Sequence, residues 1–264
     1  LSPEKKLERS LLAQTLRMWR KDFPAEERQE FSAWPGSFSQ NRRGQDAADY
    51  HFIAAYKGTQ KKPEMVGYAT LHASIPRKDL PTPVALAEYS AIRKDYRRKG
   101  IYDLLFQKRR ELARSSGSKY IIAEVEPFNN AARRRWQSLR SMANMTPKQK
   151  EELRELASRR KRLSIFSKYY MHADMPYLDP SEHVTFPAKG RGILNRKGKL
   201  NPLWLLVHDL GSSAKSTISR EEGLDLLRSV YRGPQDLRRS DADWMLSQVA
   251  QKVPSVVKLR PPNK

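Results

Sequence analysis

Ten consecutive residues, Tyr96-Arg97-Arg98-Lys99-Gly100-Ile101-Tyr102-Asp103-Leu104-Leu105, are the part of the chain whose types and spacing could do chemistry. A short apolar run precedes them, a helix-like run follows, and the middle is basic and contains a glycine. A strand that turns through such a loop into a helix N-terminus aims several backbone N–H groups at one point, where the helix dipole also favours an anion. In outline this is a phosphate cradle; a basic turn before a helix also serves simply as solvated surface. Other chemistries are excluded or disfavoured by composition. There is no cysteine, which removes disulfides, thiolate zinc sites and a cysteine nucleophile. His51, His72, His172, His183 and His208 show no ligand spacing such as His-Glu-x-x-His, so no metal site is expected.

The elements that must position this loop follow from periodicity. Val84-Ala-Leu-Ala-Glu-Tyr-Ser-Ala-Ile92 is short and apolar, as a mostly buried strand should be. After the loop, Ile101, Leu104, Leu105, Lys108 and Leu112 recur at helical spacing, with Lys108 the one polar member, and Ser115-Ser116-Gly117-Ser118 closes the helix. Tyr120-Ile-Ile-Ala-Glu-Val125 is a second buried strand, so the unit is βαβ-like and its strands are expected to pair in parallel. Upstream, residues 50–56 and 65–71 predict a hairpin, preceded by an amphipathic helix over 3–23 and a shorter one over 25–31. Downstream, Pro127-Phe128-Asn129-Asn130 is followed by a helix through Leu139 with Arg133, Arg134 and Arg135. Another opens at Thr146-Pro147 with acids early and bases late. Residues 174–182 read as a loop, and 189–199 as a basic hairpin or flexible loop. Residues 204–207 read as the last strand, and Ser219-Arg-Glu-Glu222 as a capping box before a helix to about Tyr231. A helix over 241–251 and a basic tail complete the chain.

The 264 residues suffice for one large domain or two small ones, and the net charge of +22 predicts a polyanionic partner. The partners expected are nucleic acid, RNA ahead of DNA, or an acidic protein surface. No run approaches the length needed to span a bilayer, and residues 1–30 lack the apolar core of a signal peptide. The expected location is intracellular, in cytoplasm or in an organelle matrix such as that of the mitochondrion. Oligomeric state is not legible.

Two motifs in this order carry a family resemblance. Ile92-x-x-x-Tyr96-Arg97-Arg98-Lys99-Gly100-Ile101 and Glu124-Val125-Glu126-Pro127-Phe128-Asn129-x-x-Ala132 resemble the cofactor loop and the second motif of the GCN5-related N-acetyltransferase (GNAT) family. The resemblance covers residues 84–139. It implies an α/β (α+β) GNAT fold, a mixed central sheet with helices on both faces, plus extra N-terminal, inserted and C-terminal helices. The GNAT-like part would span 1–211, with 212–264 a helical extension and tail. The resemblance also implies acetyl-CoA as co-substrate. Its pyrophosphate would rest on the loop formed by Arg97, Arg98, Lys99, Gly100, Ile101 and Tyr102, and its pantetheine arm beside Ala91 and Ile92, with Asn129 at the next helix start. Glu88 matches a position where many family members carry the carboxylate that takes the amine proton, and burial in an apolar strand would raise its pKa toward a useful range. The oxyanion would be met by a strand N–H near Ala91 or Ile92.

Two motif positions depart from the family pattern, and Arg135 adds a third departure. Tyr102 stands where a small residue is usual and would crowd the pyrophosphate. Trp136 stands where a tyrosine usually protonates the leaving thiolate, which an indole N–H does not do. Arg135 occupies a place usually apolar. The sequence therefore favours an acetyl-CoA-dependent N-acetyltransferase acting on an amine of a protein or RNA-linked acceptor. Its competitor is a GNAT-fold protein of reduced or lost activity that binds RNA within a ribosome-like assembly.

Overall fold

The computed structural model describes positions 10, 13, 14, 17 and 18 of a first helical segment, then residues 48–59, 63–74, 80, 82–179, 184–185, 193–196, 201–211, 215–232 and 237–262. The helix expected over 25–31 and the glycines of the basic segment 189–199 lie outside the described residues. Among the described residues no helix is long and apolar enough to cross a membrane.

The strands in chain order are β1 Ala48–Lys57, β2 Glu64–Ser74, β3 Val84–Leu86, β4 Ser90–Ile92, β5 Tyr120–Val125, β6 Met171–Ala173, β7 Tyr177–Asp179, β8 Val184–Thr185, β9 Ile193–Leu194, β10 Asn201–Asp209, β11 Thr217–Ser219 and β12 Val256–Arg260. The helices are α1 Ile101–Ser115, α2 Asn130–Arg140, α3 Pro147–Phe166, α4 Arg220–Arg232 and α5 Arg239–Val249. One sheet runs β1-β2-β3-β5-β10-β6-β12-β11, with β4 added to β2 and β7 to β10, while β8 and β9 form a separate ribbon. β1 and β2 pair as the expected hairpin. β3 and β5 are parallel, Val84 opposite Tyr120 and Leu86 opposite Ile122, as a strand–helix–strand crossover requires. The other strand pairs are antiparallel, so the sheet is mixed.

Side-chain alternation sorts the core onto the two faces of the sheet. Ile121, Ala123 and Val125 of β5 join Phe106 of α1, Leu139 of α2 and Leu163 of α3 on one face. Tyr120 and Ile122 join Leu226, Leu227 and Val230 of α4 and Met245 of α5 on the other. The chain after residue 212, expected to be helical, also supplies strands: β12 pairs with β6 and β11 with β12. The supposed loop after Asp174 contains β7, which pairs with β10. Residues 204–207 are therefore not the last strand. These short segments have weak local patterns, and their pairing is fixed by neighbours remote in sequence.

Local signals explain where the helices begin and end. Gly117 at φ 75 closes α1, with Gly117 N–H bonded to Arg114 O and Ser118 N–H to Ala113 O, the paired C-terminal bonds of a Schellman turn. Thr146 and Gln149 form a reciprocal capping box with Pro147 at the first position of α3. Ser219 and Glu222 do the same for α4, Glu222 N–H donating to Ser219 Oγ at 3.1 Å and Ser219 N–H to Glu222 Oε2 at 3.3 Å.

Candidate functional site: a strand split closed by a basic helix start

The site begins where one strand becomes two. The run 84–92 is not continuous: β3 pairs with both β2 and β5, but after Ala87, whose N–H bonds Ile122 O at 2.8 Å, the chain leaves β5 and β4 pairs with β2 only. Residues 123–125 of β5 keep β10 on one side and face a gap on the other. Hydrogen-bond parity shows what β4 presents to that gap. Tyr89 O accepts from Thr70 N–H and Arg93 N–H donates to Val66 O, so in an antiparallel pair 89, 91 and 93 bond to β2 while 90 and 92 point their polar groups away from it. Ser90 and Ile92 therefore turn their N–H groups to the split, and Ala91 does not. Ala91 is instead buried, its side chain packed with Met65 and Tyr68.

A buried cation sits at the break. Arg109 of α1 is 2% exposed and donates from Nε to Thr70 O at 3.0 Å and from Nη2 to Tyr89 O at 2.7 Å. The Tyr102 and Tyr170 phenols face the same guanidinium, which partly offsets the upward push that burial gives both their pKa values. The expected inner face of α1 is thus turned: Leu105, Phe106, Arg109 and Ala113 are buried, while Leu104 is 62% exposed and Lys108 is exposed. The polar member facing the core is Arg109 rather than Lys108.

The split is closed at one end by the basic loop. Arg97, Arg98, Lys99 and Gly100 are all exposed. Arg97 Nε donates back to Ile92 O at 3.0 Å, tying the loop to the end of β4. Arg98 (φ 65) and Gly100 (φ 75) both take left-handed backbone, which curls successive N–H groups inward. Gly100 is the N-cap of α1, no side chain caps that helix, and a Cβ built on Gly100 meets nothing within 4 Å. The space on the Cβ side of Gly100 at the start of α1 is thus open, as an anion approaching that helix end requires. Gly67 of β2 serves a different need: a Cβ there would stand 3.1 Å from Ala91 O and 3.2 Å from Ile101 Cγ2, so its absence lets the start of α1 lie close on β4.

The remaining candidates divide. The Tyr102 ring does not crowd the loop; it turns inward beside Phe106, Phe166 and Tyr169, with centroids 5.0–6.5 Å apart. Asn129 is exposed and spends its Oδ1 capping α2, accepting from Ala132 N–H at 3.0 Å. Glu88 lies in the irregular step between β3 and β4 and is exposed, not buried in a strand interior as expected. Its charge instead adds to the burial that drives the Tyr50 phenol pKa upward. Trp136 packs edge-on against Phe128 under the guanidinium groups of Arg140 and Arg160. Arg135 bridges to the inserted helix α3, holding Glu152 with Nε at 2.8 Å and Nη2 at 2.6 Å.

Sequence reasoning missed three features. Arg109 was hidden by the assumed phase of α1, although an arginine one position from an apolar stripe is a signal. Glu124 accepts a hydrogen bond from the Tyr177 hydroxyl at the open end of β5, and no local pattern links residues 53 positions apart. Asp103 in the first turn of α1 is bound by Lys168 Nζ at 2.8 Å and the Tyr169 hydroxyl at 2.6 Å, and these bonds hold its carboxyl below the usual range. That pairing reduces the repulsion an anion at the loop would feel.

Comparison with known proteins gives a family match. Residues 11–140 match the family model described as Acetyltransferase (GNAT) family. A search of curated proteins finds no match. Among solved structures, a protein from Desulfovibrio desulfuricans assigned to the GNAT family aligns at 11% identity over 77% of this chain and 94% of its own, TM-score 0.40. An aminoglycoside 6'-N-acetyltransferase complexed with coenzyme A aligns at 11% identity over 78% of this chain and 94% of its own, TM-score 0.37. The NatC complex bound to Gag peptide and CoA aligns at 13% identity over 75% of this chain and 90% of the matched one, TM-score 0.34.

Proposed function

We propose, from the premise that this chain belongs through residues 11–140 to the GNAT acetyltransferase family, that it is an acetyl-CoA-dependent N-acetyltransferase acting on an amine of a protein or RNA-linked acceptor. The observation that carries the reading is the split between β4 and β5, closed by an uncapped helix start whose glycine leaves the approach open. Acetyl-CoA supplies an activated thioester, from which the acetyl group passes to the amine nitrogen with release of the CoA thiol.

The chain's own groups divide the remaining work. N–H groups of the loop and first turn of α1 hold phosphate oxygens, with Arg97, Arg98 and Lys99 adding exposed positive charge. The N–H of Ile92, which strand parity turns away from β2, serves as donor to the thioester carbonyl and to the charge that grows on that oxygen during attack. Glu88, at the strand break, takes the amine proton directly or through a water. Its exposure suits an acceptor that arrives from solvent. Trp136 takes no part in protonating the thiolate, which draws its proton from water.

Calorimetry with acetyl-CoA, followed by thiol release on mixed amine acceptors, tests the reading. Binding and turnover are expected, with Glu88→Gln keeping the affinity and lowering turnover by about 10²-fold or more, the usual share of a general base. A chain that binds no acetyl-CoA would refute the proposal. Binding without turnover on any acceptor would leave a GNAT fold that holds CoA without transferring acetyl.

A further inference from the structure

We propose that the hairpin of α2 and α3 is a docking surface for single-stranded RNA. Residues 130–168 carry twelve Lys and Arg against three Glu, so nine of the net 22 positive charges sit on this segment. The three acids are all bound within the hairpin: Glu151 to Arg154 at 3.3 Å, Glu152 to Arg135 at 2.6 Å, and Glu155 to Arg159. Arg133, Arg134 and Arg140 on α2, and Lys148, Lys150, Arg160 and Lys161 on α3, are exposed and have no acidic partner among the described residues. Internal pairing of the acids leaves a surface whose free charges are of one sign. Favourable interaction with the helix dipole does not account for it, because Lys148 and Lys150 lie in the first turn of α3, where bases are disfavoured.

The kind of polyanion follows from shape and side-chain type. Two helices packed side by side have axes about 8–10 Å apart and are each about 10–12 Å across, a front of roughly 20 Å. The major groove of duplex DNA is about 12 Å wide, so this pair does not enter it as a unit, whereas a flexible strand can lie along its front. Eight of the twelve bases are arginine, which forks onto phosphate oxygens and stacks on unpaired bases. The guanidinium carbons of Arg140 and Arg160 lie 4.8 and 4.4 Å from the Trp136 ring centroid, a cation–π cluster that an unpaired base can join by stacking whatever its identity. Gln137 and Ser138, exposed between Arg134 and Arg140, offer polar groups to a 2′-hydroxyl. An acidic protein surface would use the charge but neither the stacking platform nor these polar groups.

Fluorescence anisotropy of a labelled oligouridylate against the full chain, with no acetyl-CoA present, keeps this test separate from acetyl transfer. With about six phosphates met, affinity should fall roughly 300-fold between 50 and 200 mM salt. The variant Arg133→Gln/Arg140→Gln/Arg160→Gln should weaken binding at least tenfold and flatten the salt slope by about two. Arg238→Gln/Lys252→Gln/Lys258→Gln, an equal loss of exposed charge elsewhere, should change affinity less than threefold. Circular dichroism confirms that both variants fold. Equal weakening by the two variants, or no binding by the parent chain, would overturn the proposal. Competition by polyglutamate as strong as by RNA would transfer the surface to an acidic protein, and equal affinity for oligothymidylate would remove RNA as the ligand.

Discussion

Replacing Arg109 with methionine keeps most of the side-chain length and removes the buried cation. Two charge-assisted bonds go, to Thr70 O at 3.0 Å and to Tyr89 O at 2.7 Å. At about 1.5–3 kcal/mol each the gross loss is about 3–6 kcal/mol. Part returns, because a guanidinium that is 2% exposed carries a desolvation cost that methionine does not. Tyr89 O keeps its bond from Thr70 N–H at 2.9 Å, so it is not orphaned. The net expectation is a destabilisation of about 2–4 kcal/mol, a Tm lower by about 5–15 °C for a chain of this size. Arg109→Lys, able to keep one of the two bonds, should lose about half as much. Thermal unfolding gives that number, and hydrogen exchange locates the effect: the amides of Ala91 and Arg93, which bond β2, should exchange faster in the methionine variant, because pairing with β2 alone holds β4 once the clamp at the break is gone. Acetyl-CoA affinity should fall with it. A methionine variant melting within about 1 °C of the parent would refute the view that Arg109 holds the strand break.

Gly100→Val tests the loop from the other side. The position has φ 75 and no neighbour within 4 Å of a built Cβ, so the fold should lose only the left-handed strain of about 1–2 kcal/mol. The side chain fills the approach to the first-turn N–H groups, and CoA affinity measured by calorimetry should drop at least about tenfold, the loss of one charge-assisted bond; unchanged affinity would place the pyrophosphate elsewhere. Stability should also depend on histidine. Burial lowers the pKa of both His172 and His208, so below their ordinary value of 6.5 the unfolded chain takes up protons that the folded chain refuses. Their contribution is therefore complete above about pH 6.5 and is lost as pH falls toward the depressed values. The urea midpoint should fall between about pH 7.5 and 5.5, and His208→Gln should reduce that fall.

The candidate site was legible where its geometry is local. The basic glycine loop, the helix that follows it and the parallel pairing of its flanking strands rest on turn chemistry and short-range periodicity, and β3, β5 and α1 occur where the pattern puts them. Tyr102 was misjudged because residue type alone does not say which way a first-turn side chain leans. Its ring turns inward because Phe106, Phe166 and Tyr169 line a pocket assembled from α1 and the end of α3. Glu88 was expected in a strand interior, but a run of apolar residues does not reveal that it stops pairing with one neighbour halfway along.

The sequence by itself determined the charge, the capped ends of α3 and α4, the left-handed turn at Gly100 and the alternation that sorts β5 onto two faces, since each depends on residues a few positions apart. Only the tertiary structure decided the phase of α1, which buries Arg109 rather than Lys108, because the two carbonyls that recruit it lie 39 and 20 residues away. It also decided the split of β4 from β5 and the pairing of β6, β7, β11 and β12, whose short segments have too few side chains to specify a neighbour. A helix start is written in the residues that cap it, but a gap between two strands exists only once both have found their other partners.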